Sequence, residues 1–297
     1  MRYSIVLSYA GAGFCGWQRQ PSAPSVQECL EDALGKLLGG EVPVIGAGRT
    51  DTDVNAIGYV ACFDGPEGLA ADDFCYKLNA ILPRSVVVSC VAPAGADFHP
   101  RFDAVRREYT YFLHRCKDPF VEAFSWQCGY PLLDFEAMNS AAGLLVGTHD
   151  FSCFEKVGAD NKTSVCTVFE AYWKPYVPGF RTVIPSEAKE SRYWYFRISA
   201  DRFLRNMVRA IVGTLIEVGR GKRSLDDFAG LILPVDLPET GSLSAPLPPR
   251  TRPTQKTSAE RLPVSGNTTS AKANAPLRSL AGESVPGHAL FLSKVEY

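Results

Sequence analysis

The sequence predicts an α+β protein made of two tandem ferredoxin-like halves, each with the element order β-α-β-β-α-β. Short runs of alternating apolar residues indicate strands, and between them apolar residues recur at helical spacing. The order found in residues 1–100 is repeated in residues 101–297. Two such halves form a mixed sheet flanked by helices, side by side or packed together. We expect a central cleft at their junction to hold the functional site.

Length and composition agree with a globular fold of this size. The chain has 297 residues, of which 46% are hydrophobic and 21% charged, enough for one large or two modest cores. A formal net charge of −1 does not indicate a nucleic-acid binder, so any basic surface must come from local clusters. The nine cysteines are widely spaced and include no Cys-x-x-Cys pair, which disfavours a disulfide framework and a zinc site.

The N-terminal half begins with an alternating strand over residues 2–9. Because this strand starts at once, and because no apolar run approaches membrane-spanning length, we expect no signal peptide, no membrane association and a cytoplasmic protein. A helix begins after Ser25, which forms a capping box with Glu28, and ends at Gly39. The other predicted elements are strands over 42–46, 57–63 and 86–91, and a helix over 71–82.

The C-terminal half repeats this order. Its predicted strands cover 107–114, 164–173, 193–200 and 289–295, and its predicted helices cover 134–146 and 202–218. A short helix over 224–233, capped by Ser224, lies outside the pattern. The stretch from Pro234 to Pro286 is rich in proline and lacks aromatic residues, so we expect a disordered insertion at about 236–276.

Three segments carry polar residues that suit a functional site. A Gly-x-Gly turn between two predicted strands presents Arg49 and Asp51, two residues apart. A basic stretch from Arg101 leads into the aromatic strand at 107–114, a combination that suits phosphates and stacked bases. In the predicted helix 202–218, arginines at 202, 205 and 209 predict a basic stripe on one side. Arg220, Lys222 and Arg223 extend this ridge.

Each pattern also has a structural explanation: a surface ion pair in an ordinary turn, a solvated strand edge and a solvated helix face. Residues 11–16 spell G-x-G-x-x-G after a strand, which is the pattern of a dinucleotide site. Residues 17–24 separate it from the next helix, and this disfavours that interpretation. Asp51 and Asp53 are candidates for half of a magnesium site, but the sequence offers no further ligands at a recognisable spacing.

The combination of these stretches resembles the tRNA pseudouridine synthase A family. Eight matching pieces occur in the family's order and span nearly the whole chain outside the proposed insertion. The pieces are 9–18 (YAGAGFCGWQ), 26–31 (VQECLE), 46–51 (GAGRTD), 98–102 (FHPRF), 107–111 (REYTY), 147–154 (GTHDFSCF), 203–209 (FLRNMVR) with 211–213 (IVG), and 278–282 (RSLAG) with 295–297 (VEY).

The resemblance implies an enzyme that isomerises uridine to pseudouridine in the anticodon stem-loop of tRNA, as a homodimer and without metal or cofactor. It implies that Asp51 is the catalytic nucleophile, paired with Arg209. A carboxylate can attack the sugar or the ring, or act as a base at the sugar, and the choice stays open. Tyr109 is expected to stack on the uracil and to assist removal of the C5 proton. The implied substrate-binding residues are Arg49, Arg101, Arg107, Tyr109, Arg202, Leu204 and Arg205.

The chain departs from the family pattern at three positions near these residues. Asp53 stands where a small residue is usual, Asn55 replaces an imidazole, and Glu108 replaces a basic residue. A second carboxylate close to Asp51 would raise the pKa of Asp51 or repel phosphate. Two alternatives therefore accompany the main hypothesis. One is an RNA-binding or chaperone homologue with weakened catalysis, and the other is a magnesium-dependent phosphoryl-transfer enzyme that uses Asp51 and Asp53.

Overall fold

A computed structural model describes residues 1–158, 161, 163–179, 192–235 and 277–297. The predicted disordered insertion, 236–276, lies outside the described residues. The strands are β1 (Arg2–Tyr9), β2 (Ile45–Gly46), β3 (Asn55–Asp64), β4 (Val86–Pro93), β5 (Arg106–His114), β6 (Trp126–Gln127), β7 (Gly147–Asp150), β8 (Val165–Pro175), β9 (Tyr193–Ala200) and β10 (Leu290–Glu296). The α-helices are α1 (Val26–Leu38), α2 (Ala71–Ile81), α3 (Phe135–Gly143), α4 (Met207–Gly219) and α5 (Leu225–Ala229).

One mixed sheet runs through the described part of the chain. Its strand order is β4-β1-β3-β10-β5-β9-β8-β7, with β2 paired to β3 and β6 paired to β5. The last strand, β10, lies between the two parts of the sheet, parallel to β3 and antiparallel to β5. This confirms an α+β protein with a mixed sheet. No helix in the described ranges combines the length and apolarity that crossing a bilayer requires.

Local signals place most helix ends where the sequence predicts them. The Ser25 hydroxyl accepts a hydrogen bond from the main-chain N–H of Glu28 at 3.2 Å, and Gly39 ends α1 in the left-handed conformation. Ser224 and Asp227 form a complete capping box at the start of α5. These interactions involve near neighbours in the sequence, so their residue types alone were sufficient to predict them.

Two hydrophobic cores lie against the sheet. The N-terminal core joins β1 to α1 and α2, through side chains such as Ile5, Leu30 and Leu78. The C-terminal core surrounds α4 and includes Ile211. Tyr109 of β5 packs against both cores, so this side chain lies where the two parts of the protein meet.

Asn55 connects the start of β3 to two distant segments. Its side-chain oxygen accepts from the main-chain N–H of Gly11 at 2.8 Å, and its amide nitrogen donates to the carbonyl oxygen of His288 at 2.7 Å. The residue is only 2% exposed. A buried amide with partners on both sides stabilises this junction. The asparagine that replaces an imidazole is thus a structural residue, and it is not placed to act as a base.

The predicted helix 202–218 is wrong at its beginning. The helix starts at Met207, because Asn206 has φ 66°, a left-handed conformation that interrupts helical geometry. Arg202 and Arg205 therefore precede the helix, and the predicted basic stripe along one helical side does not exist. The predicted strand 42–46 is also shortened to Ile45–Gly46. Pro43 lacks an N–H, and the N–H of Val44 donates to the Glu31 carboxylate instead of a neighbouring strand.

Candidate active site

The loop between β2 and β3 rests on the glycine-rich segment 11–16. A Cβ atom at Gly16, whose φ is +88°, would overlap the carbonyl oxygen of Thr50, and one at Gly11 would overlap the main chain of Asp53. Trp17 donates its main-chain N–H to that same Thr50 oxygen at 3.3 Å. These glycines permit close contact between the main chain of segment 11–16 and the main chain of the loop that carries Asp51. The G-x-G-x-x-G pattern thus has a packing role here.

Two buried tyrosines hold the loop from the core side. The hydroxyl of Tyr9 and the side-chain oxygen of Thr50 share a hydrogen bond of 2.9 Å. The hydroxyl of Tyr59 donates to the carbonyl oxygen of Gly48 and accepts from its N–H at 3.2 Å. Burial raises the pKa of both phenols above the ordinary value, so both remain protonated at neutral pH. Gly48 and Thr50, which precede Asp51 in the loop, are therefore each held by a neutral hydroxyl group from the core.

The carboxylate of Asp51 lies between two guanidinium groups. Its Oδ1 is 3.8 Å from Nε of Arg205, and its Oδ2 is 3.9 Å from Nη1 of Arg209. The side chain of Asp51 is 25% exposed. Both distances exceed those of charge-assisted hydrogen bonds, which are about 2.7–2.9 Å. The two charges therefore attract and orient the carboxylate without a direct hydrogen bond to it.

Tyr109 contributes an aromatic ring beside this carboxylate. The ring makes an edge-to-face contact with Phe203, with centroids 5.0 Å apart. Burial raises the pKa of Tyr109 to about 12, and the charge of Asp51 adds to the rise. A phenol with that pKa is deprotonated in only about one molecule in 10⁵ at pH 7. The ring is therefore suited to stacking and the hydroxyl to donating a hydrogen bond, and removal of a C5 proton by the phenolate is disfavoured.

Phe203 is a site residue that was predicted only as part of the helix 202–218 and of the matching stretch 203–209. Its ring supports Tyr109 because residues 202–206 leave the helical path just before α4. Phe203 belongs to the stretch FLRNMVR, but the apolar residues of that stretch also fit a helical period. The sequence therefore predicted a helix there and did not indicate a site residue.

Three arginines from separate segments lie close enough to influence one another. They are Arg49 on the β2–β3 loop, Arg101 before β5 and Arg202 after β9. Burial lowers the pKa of Arg101, and the positive charges of Arg49 and Arg202 lower it further. Such mutual repulsion is relieved when an anion binds between the groups. This cluster is a candidate phosphate site, in agreement with the predicted role of the three residues.

Two of the predicted substrate-binding residues are not available to a substrate. Arg107 is 7% exposed, and its guanidinium donates to the carbonyl oxygens of Ala47 at 3.1 Å, Arg101 at 2.7 Å and Asp201 at 3.0 Å. Leu204 is 4% exposed within the C-terminal core. Both assignments are corrected because the side chains face the interior. Arg107 instead ties together the loops that present Arg49, Arg101 and Arg202.

The difference between Arg101 and Arg107 predicts two distinct mutant phenotypes. Arg101→Ala should weaken RNA binding and reduce the slope of log affinity against log salt concentration by about one, with an almost unchanged melting temperature. Arg107→Ala should lower the free energy of unfolding by about 3 kcal/mol, because several carbonyl groups lose a charged donor. Salt-dependent binding and thermal unfolding of both variants measure these effects. A reduced salt slope for Arg107→Ala at wild-type stability would contradict the assignment.

The two acidic departures from the family pattern have local explanations. Asp53 has φ 63°, a conformation that aspartate adopts more readily than most residues. The carboxylate of Glu108 accepts from the hydroxyl of Ser293 at 3.0 Å and lies 3.5 Å from Nε of Arg197. Because neighbours in a strand face opposite sides, Glu108 points away from the side of Tyr109. Within the described residues, His, Cys, Asp and Glu do not form a group of three or more that could hold a metal ion.

Comparisons with known proteins agree on one family. The family model described as tRNA pseudouridine synthase matches residues 5–103 and 141–249. A Porphyromonas gingivalis protein named tRNA pseudouridine synthase A is 45% identical over 82% of this chain and 92% of that protein. Proteins of the same name from Bacteroides fragilis and a Geobacter species are 40% and 36% identical, over 100% and 82% of this chain and 96% and 93% of those proteins.

Proposed function

The chain belongs to the tRNA pseudouridine synthase family, and from this premise we propose that it modifies uridine in the anticodon stem-loop, with Asp51 as the reacting carboxylate. The enzyme is an isomerase that converts uridine in tRNA to pseudouridine. The observation that carries the site assignment is the carboxylate of Asp51 between the guanidinium groups of Arg205 and Arg209, beside Tyr109.

The chemistry requires an ionised carboxylate that is held in place. The C1′–N1 bond of uridine breaks, the uracil turns, and a C1′–C5 bond forms, while C5 loses a proton and N1 ends with one. Asp51 can add to the sugar, add to the ring or remove a sugar proton, and each route begins from the charged form. The guanidinium of Arg209, 3.9 Å from Oδ2, attracts and orients the carboxylate.

A base-paired or stacked uridine cannot reach this site until it leaves the stack. Enzymes that act on a base commonly extrude the nucleotide and read it in a pocket. We assign the ring of Tyr109 to stacking on the extruded uracil, and Arg49, Arg101 and Arg202 to the flanking phosphates. This division of roles explains why the arginines are distributed over three loops around Asp51.

Position-specific detection of pseudouridine tests the proposed substrate region. Unmodified tRNA, incubated with the enzyme and analysed by carbodiimide treatment or mass spectrometry, should contain pseudouridine in the anticodon stem-loop. Replacing the uridines of that stem-loop by cytidine, one at a time, should remove the product at each target. Product formed in another arm of the tRNA would refute the anticodon assignment while leaving the isomerase assignment intact.

We propose that the fold consists of two duplicated ferredoxin-like halves, with boundaries at 1–100 and 101–297. The support is the strand order. The first half reads β4-β1-β3-β2, and the second reads β10-β5-β9-β8 when the short strands β6 and β7 are left out, which is the same order in terms of position along each half. An arrangement of this kind places the β2–β3 loop of the first half next to β5 and α4 of the second.

We also propose that the enzyme is a cytoplasmic homodimer. The side of the sheet opposite Tyr109 carries aromatic residues around a depression of about 310 Å³. Phe112 and Phe291 contact each other there, with centroids 5.4 Å apart, and the nearby Ile57 is 54% exposed. Apolar surface of this kind suits a protein partner. Nine free cysteines support a reducing compartment. Sedimentation velocity at micromolar concentration should give the mass of two chains.

A further inference from the structure

The two guanidinium groups that face Asp51 are held in different ways. Arg209 lies in the first turn of α4, its Nε donates to the carbonyl oxygen of Val285 at 2.7 Å, and its side chain is 22% exposed. The side chain of Arg205 is 58% exposed. Arg209 is therefore fixed by the protein, whereas the side chain of Arg205 is mostly exposed to solvent beside Asp51.

The main chain that carries Arg205 is well anchored. Its carbonyl oxygen accepts from the main-chain N–H of Lys156 at 3.1 Å. The side-chain amide of the next residue, Asn206, donates to the hydroxyl of Ser284 at 2.6 Å. Because the backbone is fixed and the side chain is long and exposed, the guanidinium can change partners without a change in the fold.

We propose that Arg205 is a positioning residue that covers Oδ1 of Asp51 in the RNA-free enzyme and transfers to an RNA phosphate when tRNA binds. The proposal rests on the proposed tRNA isomerase function. An exposed ion pair at 3.8 Å contributes little free energy, so the exchange costs little. A phosphate accepts two parallel hydrogen bonds from a guanidinium, which is a stronger contact. The cluster of Arg49, Arg101 and Arg202 brings phosphates to the same region.

The exchange would activate the carboxylate only when substrate is present. Arg209 keeps Asp51 aimed in both states, because its bond to Val285 does not depend on RNA. The departure of Arg205 leaves Oδ1 with no guanidinium in front of it, so that this oxygen can approach the substrate. The other charged or titratable groups around the loop include Arg49 and Asp53 on the loop itself and His288 on the segment packed against Thr52. Tyr9, Tyr59, Arg107 and Tyr109 face it from the strands.

The split between KM and kcat tests whether Arg205 leaves Asp51 in the complex. A residue that binds an RNA phosphate and no longer faces the reacting carboxylate contributes to binding and not to the chemical step. Arg205→Ala should therefore raise KM several-fold and leave kcat within about twofold of the wild type. Arg205→Lys, which keeps the charge, should restore part of the loss in KM.

Arg202→Ala is the matched control, because it removes an arginine from the same segment that makes no ion pair with Asp51 in the described structure. It should raise KM and leave the surroundings of the Asp51 carboxylate in the free enzyme unchanged. A fall in kcat of about tenfold or more in Arg205→Ala would show that Arg205 stays on Asp51 in the complex, and this would overturn the exchange. An unchanged KM in Arg205→Ala would show that Arg205 binds no phosphate, and this would overturn the proposal as well.

A second measurement separates this proposal from the proposed function. The chemical shift of the Asp51 carboxyl carbon, assigned in NMR spectra by its loss in Asp51→Asn, can be measured at neutral pH in the free enzyme without any turnover. Arg205→Gln, which removes the guanidinium and its charge but keeps a polar side chain, should change this chemical shift, and Arg202→Ala should not. An unchanged chemical shift in Arg205→Gln would overturn the pairing. If the wild-type enzyme forms no pseudouridine, the function fails while this measurement still decides whether Arg205 lies beside Asp51.

Discussion

Asp51→Ala should lower the rate of pseudouridine formation by at least about 10⁴-fold, the scale of loss when a reacting group is removed from an enzyme. In the proposed chemistry, attack on the sugar, attack on the ring and removal of a proton all need the carboxylate of Asp51. Binding of tRNA should survive, because the arginine cluster is unchanged and a negative charge has been removed beside it. A rate assay with tRNA in excess and a separate binding titration measure the two effects.

Asp53→Asn is the matched control for this variant. It removes the same charge from the same loop, and asparagine also tolerates the left-handed conformation at φ 63°. Its activity should stay within about threefold of the wild type, as expected for a surface substitution that leaves the fold intact. Equal losses in both variants, together with inactivation of the wild type by EDTA, would favour the magnesium-dependent alternative. Full activity of Asp51→Ala would refute the assigned chemistry.

Gly16→Ala should lower the free energy of unfolding by about 3 kcal/mol or more and greatly reduce activity. The left-handed conformation at φ +88° costs about 1–2 kcal/mol for a residue with a Cβ. The added Cβ also overlaps the carbonyl oxygen of Thr50, so the loop must move and the hydrogen bond from Trp17 to Thr50 is lost. Since Asp51 follows directly, a displacement of about 1 Å would reduce the rate by roughly 10²-fold.

Gly13→Ala isolates the steric part of this effect. Gly13 has nearly the same φ, +86°, but a Cβ there meets no atom within 4 Å. Its loss should therefore be about 1–2 kcal/mol, from the backbone conformation alone, with little change in activity. Thermal unfolding and the rate assay on both variants make the comparison. Equal losses of stability and activity at the two positions would show that segment 11–16 does not support the loop.

Several elements could be predicted from the sequence because their causes are local. The ends of α1 depend on Ser25 and Gly39, and the start of α5 depends on Ser224, all within one helical turn. The family was also predicted from motifs, and the comparisons confirm it. Asp51 and Arg209 were predicted as a pair from resemblance, and their side chains lie 3.9 Å apart.

Other features depend on contacts between distant segments. The helical period continued through Arg205, and only the conformation of Asn206, held by Ser284, shows that α4 begins later. The glycines at 11 and 16 match a nucleotide-binding pattern in the sequence. Their contacts with residues 50–54 in the structure show that glycine is required there for close packing. Periodicity and motifs depend on residues that are close in the sequence. The conformation at these positions depends on residues that are close only in the folded structure.

The sequence by itself determined the kind of protein, an α+β member of a tRNA-modifying family, and it singled out Asp51, on a loop between two strands, as the candidate reacting group. Only the tertiary structure decided what each arginine does. Arg107 donates hydrogen bonds to carbonyl oxygens in the interior. Arg209 is fixed beside Asp51, and the exposed side chain of Arg205 faces the same carboxylate. The physical reason is that a guanidinium carries the same charge everywhere, while its role depends on burial and on partners brought from elsewhere in the chain.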